Sequence, residues 1–128
     1  MASQTGTVAP DPVHTVCSVL EPDAHFADPH ITVRGQFVAG MHEVFLKDST
    51  CDSKTLFLHH IAGGPPFLFC ESERLTQEFG CPGGMNGPLV TVKGVLELGK
   101  WSSSSTGVFV VEEIVAYEST RTGKRVVP

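Results

Sequence analysis

Apolar and polar residues alternate most strongly in two stretches of this 128-residue chain, and the two share one pattern. Residues 31–40 read Ile-Thr-Val-Arg-Gly-Gln-Phe-Val-Ala-Gly, and residues 90–99 read Val-Thr-Val-Lys-Gly-Val-Leu-Glu-Leu-Gly. Each runs β-branched, Thr, Val, basic, Gly, then four mostly apolar residues and a second Gly. A period of two rich in β-branched residues predicts strands. In the first stretch Ile31, Val33 and Phe37 share one face, and Thr32, Arg34 and Gln36 the other. Gly35 interrupts the alternation, as a bulge or tight bend would. The likeness of the two stretches predicts equivalent roles in one sheet. Shorter alternations predict strands at about 42–48, with Val44 and Leu46 set against Glu43, Phe45 and Lys47, and at about 54–61, with Leu56 and Leu58 set against Phe57, His59 and Ile61. A final strand is predicted over 108–118.

Two segments have a helical period instead. Apolar residues at 13, 16, 17, 19 and 20 predict a short helix over 13–20, with Asp11 as N-cap and Pro12 at its first position. Residues 71–79 predict a second helix, with acidic residues in the first turn and Gly80 as its stop. The predicted order is helix, three strands, helix, two strands. Five strands with a helix between the third and fourth describe a mainly β, OB-fold-like Greek-key barrel, here preceded by a short N-terminal helix. The organisation expected is a flexible segment over 1–12, the barrel domain over 13–118 and a polar tail over 119–128.

Composition narrows the function. The net charge of −5 argues against general affinity for nucleic acid or anionic membranes, because phosphate binding rests on clustered Lys and Arg. No apolar run reaches the ~18–20 residues of a membrane-spanning helix. The start, Met-Ala-Ser-Gln-Thr-Gly, has neither a basic nor an apolar signal region. Two expectations follow: a periplasmic or secreted domain whose signal has been removed, or a cytoplasmic protein.

The stretch Ile31–Leu46 (ITVRGQFVAGMHEVFL), followed by Asp48 and Cys51, carries a resemblance. With Val92-Lys93-Gly94-Val95 and the closing Val110-Val111-Glu112-Glu113-Ile114, it is similar to small bacterial OB-fold domains of secreted or lipoprotein-like envelope proteins. The likeness covers about residues 13–118, and its motifs are structural. It implies the fold and an envelope location, and it carries no catalytic residues.

The four cysteines, Cys17, Cys51, Cys70 and Cys81, allow three pairings. Cys70 and Cys81 flank the second predicted helix, so a bridge there is feasible. Cys17–Cys51 would then tie the first helix to the turn after the second strand. Buried free thiols are the alternative. No spacing fits a zinc site, and the adjacent His59 and His60 point to opposite faces of a strand. His30 and His42 approach each other only if their strands form a hairpin, and they lack a third ligand. No G-x-S-x-G, phosphate loop or cofactor motif occurs. A hydrolytic or metal-dependent enzyme would need a cleft assembled from distant residues.

The most specific candidate is a surface. With Val33, Val44, Leu46, Leu56, Leu58 and Val92 inward, Arg34, Phe45, Lys47, Phe57, His59 and Lys93 face outward. Basic groups interleaved with aromatics are what OB-folds use to stack bases or sugars. Trp101, between the last two strands, either lines the same groove or caps the barrel. The bland alternative is that a helix or loop covers Phe45 and Phe57. The expected function is a non-catalytic binding or interaction module of the bacterial envelope, without cofactor or metal. Its ligand is unknown, with a protein or oligosaccharide partner ahead of nucleic acid. The alternative is an oligonucleotide- or oligosaccharide-binding OB domain that uses this outward face.

Overall fold

A computed structural model describes residues 12–21, 24, 26–39, 44–51, 54–60, 67–79, 85–97 and 106–128. Its elements are β1 (Val13–Thr15), α1 (Val16–Val19), β2 (His30–Ala39), β3 (Val44–Lys47), β4 (Thr55–His59), α2 (Glu73–Phe79), β5 (Met85–Glu97), β6 (Thr106–Glu118) and β7 (Arg125–Val126). Five strands close on themselves in the order β2-β3-β4-β6-β5, with β5 returning to β2. The β4–β6 pairing is parallel and the other four are antiparallel. This is the OB-like barrel that the element order predicted, with α2 between its third and fourth strands.

The repeated segments meet each other. Ile31 pairs with Gly94, Thr32 with Lys93, Val33 with Val92, Arg34 with Thr91 and Gly35 with Val90. The two β-Thr-Val-basic-Gly runs are therefore antiparallel neighbours, related by a local two-fold centred on Val33 and Val92. Both central valines are fully buried. The register shift in β2 comes between Gln36 and Val38, just after the glycine the alternation marked. Gly35 also serves a close approach: a Cβ there would lie 2.7 Å from the Val16 side chain.

The barrel interior holds Val33, Phe37, Leu46, Leu56, Leu58, Val90, Val92, Phe109 and Val111. Ser72 caps α2 by accepting the Leu75 amide at 3.1 Å. The helix then drives Leu75 and Phe79 into the core. The Phe79 ring meets Phe37 at 4.8 Å, Phe69 at 4.9 Å and Tyr117 at 5.2 Å. Burying rings of this size contributes ~1.5–3 kcal/mol each, and edge-on pairs add ~0.5–1.5 kcal/mol.

The structure corrects the reading of both ends. The predicted helix over 13–20 is instead a three-residue strand followed by a single helical turn. β1 runs parallel to β2, with Val13 beside Thr32 and Thr15 beside Arg34. Thr15, in extended backbone, accepts the Ser18 amide at 3.1 Å and caps α1. Asp11, the predicted cap, lies outside the described residues. The segment expected as a polar tail turns at 119–124 and returns as β7, antiparallel to β6. Gly123 takes the left-handed conformation (φ 71°) that this turn requires. Glu78 of α2, only 4% exposed, anchors the turn. The Thr120 amide and hydroxyl donate to one of its carboxylate oxygens at 3.1 and 2.7 Å.

Candidate ligand-binding groove

Adding β1 at one edge and β7 at the other changes the shape of the barrel wall. Five strands, β1-β2-β5-β6-β7, lie side by side, and their outer face forms a groove of about 1070 Å³. Register maps its surface. One row crosses Val13, Thr32, Lys93 and Glu113. The next crosses Thr15, Arg34, Thr91 and Ala116. A third runs through Lys47, Gln36 and Leu89, and beyond it Glu118 pairs in register with Arg125. Asp48 and Ser49 complete one lip.

Polar contacts hold these side chains in place. Arg34 donates to Glu118 across the intervening strand, the two side chains being 48% and 42% exposed. An ion pair so exposed contributes ~0–1 kcal/mol, so it can be exchanged readily. The Gln36 amide donates to the Gly87 carbonyl. Asp48 accepts the Thr50 amide at 3.0 Å and its hydroxyl at 2.9 Å, which fixes the lip. The Cys17–Cys51 disulfide joins the helix after β1 to the turn after Ser49, with Cα atoms 5.8 Å apart. It therefore buckles together two segments of the same lip. Cys70 is also disulfide-bonded, and no described cysteine is free. Cys81 lies outside the described residues.

At the far edge, Glu78 sets β7 indirectly. Burial raises its pKa, but hydrogen bonds from Ser119 and Thr120 and the charge of Arg121 outweigh that and hold the carboxyl below its ordinary 4.5. The charged form therefore fixes the turn that delivers Arg125 to the groove.

The residues predicted outward from alternation fall on two separate parts of the barrel wall. Arg34, Lys47 and Lys93 line the groove. Phe45, Phe57 and His59 belong to β3 and β4, on another part of the wall. Phe45 and Phe57 pair across the strands, ring centres 6.1 Å apart and edge to face, and both are half-buried. Trp101 lies outside the described residues. Alternation could not find Thr15 or Arg125, because they reach the groove through β1 and β7, which a strand period does not reveal. The repeated Thr-x-basic pattern was the visible signal for Thr32, Arg34, Thr91 and Lys93.

His30 bonds Asp28 at 2.9 Å, and His42 lies outside the described residues. Among the described residues no group of three or more His, Cys, Asp or Glu is placed to hold a metal ion. No helix among them is long and apolar enough to cross a membrane. Comparison with family models, with curated proteins and with solved structures found no match to this chain.

Proposed function

We propose that this protein is a non-catalytic binding module of the bacterial envelope or a secreted compartment, and that it takes its ligand in the groove over β2, β5 and β6. The observation that carries the reading is the pair of added strands. A closed barrel has a convex wall; β1 and β7 turn one part of that wall into a trough lined by hydroxyls, an amide and charges. Polar groups arrayed on paired strands suit recognition, because the backbone beneath them is rigid. The location is supported by the disulfide at Cys17–Cys51 and by the bonded Cys70, since disulfides persist in oxidising compartments. The resemblance of residues 31–46 to envelope OB domains points the same way.

A second reading rests on the Phe45–Phe57 pair. Half-buried rings on the barrel's second and third strands are where OB domains stack bases or sugars. Two variants separate the readings. Thr91→Trp fills the groove from its half-exposed floor, and Phe45→Ala with Phe57→Ala removes the rings. The probes are neutral and acidic oligosaccharides, acidic peptides and single-stranded oligonucleotides. The groove reading expects the bound probe to lose affinity about tenfold or more in Thr91→Trp and to be retained in the double variant. The reverse result moves the site to the aromatic surface.

A further inference from the structure

Charge is unevenly distributed over this molecule. Among the described residues, four basic side chains (Arg34, Lys47, Lys93 and Arg125) and three acidic ones (Asp48, Glu113 and Glu118) line the groove. The described lining thus carries +1, in a chain whose net charge is −5. In a protein that is acidic overall, this groove brings four cations together among three carboxylates.

Those cations are also arranged. The local two-fold that relates the repeated segments places Thr32 and Arg34 on β2 against Lys93 and Thr91 on β5. Each half contributes one threonine and one cation, Thr32 being only 6% exposed, and the two cations are diagonal neighbours, ~7–8 Å apart at the backbone. Each cation also faces a carboxylate of β6: Glu118 for Arg34 by ion pair, Glu113 for Lys93 by register. Glu118 additionally has Arg125 beside it across the β6–β7 ladder.

We propose, on the groove reading above, that the groove binds a linear oligosaccharide with carboxylates at repeated positions, and that Glu118 holds on Arg34 the place one ligand carboxylate takes. A ligand with repeating anionic groups matches two cations, Arg34 and Lys93, related by a two-fold. The hydroxyls of Thr15, Thr91 and Ser49 suit a polyol, while Thr32, 6% exposed, belongs to the floor. Among the described lining residues the one aromatic, Tyr117, is 2% exposed and packs on Phe79 in the core, so these residues offer no platform for stacking a base. The floor strands are hydrogen-bonded on both sides, so a peptide cannot add as a further strand there. From β1 to β7 the groove spans roughly 19 Å at ~4.8 Å per strand, enough for several sugars. The Arg34–Glu118 pair is half exposed, and a ligand carboxylate can displace one partner without burying the other.

The test is calorimetric titration of the full-length, oxidised protein with tetragalacturonate, its fully methyl-esterified form and monomeric galacturonate. The acid tetramer should bind, with the ester and the monomer each weaker by about tenfold or more. Arg34→Gln and Lys93→Gln should each weaken the tetramer about tenfold, and Glu118→Gln should tighten it several-fold by releasing Arg34. Unchanged Tm in these surface variants excludes a folding effect. Equal binding of acid and ester, with both still lost in Thr91→Trp, overturns the carboxylate assignment and leaves the groove reading standing. Weaker binding in Glu118→Gln overturns the surrogate role. Binding of none of the three probes overturns the proposal. Binding untouched by Thr91→Trp overturns the groove reading as well.

Discussion

Gly94 sits where β5 passes closest to β6, and a Cβ at that position would lie 2.0 Å from the Val110 carbonyl oxygen. Backbone cannot move aside without breaking the ladder. Gly94→Ala should therefore cost ~3 kcal/mol or more, or prevent folding, measured by urea denaturation. At Gly35, the same position of the other repeat, the nearest obstacle is a Val16 methyl at 2.7 Å. Gly35→Ala should cost less, ~1–3 kcal/mol, and adding Val16→Ala should recover part of that loss in a double-mutant cycle. Additive losses would show that Val16 is not the obstacle. The repeat itself was legible in Ile31-Thr-Val-Arg-Gly and Val90-Thr-Val-Lys-Gly. The pairing of its two copies was not, because a strand's own alternation specifies its faces and leaves its neighbour open. Gly35 reads as a bulge or tight bend, and a register shift does follow it between Gln36 and Val38; the space it leaves for Val16 was not legible, because a missing side chain does not say which residue fills its place.

Among the elements, the barrel strands and α2 follow from period and punctuation, while the two short strands do not. β1 has three residues, too few for a period of two to register, and its valine fell into a helical spacing with Val16 and Val19. What divides strand from helix is Thr15, whose hydroxyl caps α1. Thr15→Ala should lower stability by ~1 kcal/mol, visible as a lower denaturation midpoint. β7 has two residues and is held by Glu78, 42 positions from Thr120 in sequence. Such a long-range bond leaves no local trace. Because the folded-state pKa of Glu78 lies below its ordinary 4.5, the carboxylate stabilises the fold above that value. The contribution is lost as pH falls through 4.5 toward the depressed folded-state value. Glu78→Gln should cost ~1–3 kcal/mol at pH 7. The difference from the parent protein should shrink in denaturation curves taken below pH 4.5; a difference that stays constant would mean that Glu78 acts by packing alone.

For the whole molecule, the disulfide and the groove belong to one device. Cys17–Cys51 closes a span of 34 residues that includes all of β2 and β3. Replacing both cysteines by serine should cost ~2–4 kcal/mol, measured by denaturation without reductant. The same change should weaken groove binding, since the bridge joins the two parts of one lip. A thiol count on denatured, unreduced protein from its native host should find none free, and four free thiols would place the protein in a reducing compartment. The barrel could be read from element order because OB topology follows from where the helix falls among five strands. The groove could not, because it exists only where β1 and β7 extend the wall. The most direct measurement is backbone amide chemical-shift mapping of the isotope-labelled, oxidised protein against the oligosaccharide, peptide and oligonucleotide probes. Shifts concentrated at Thr32, Arg34, Thr91, Lys93 and Glu118 are the predicted result. Shifts concentrated at Phe45, Phe57 and His59, with those five residues unmoved, would contradict it.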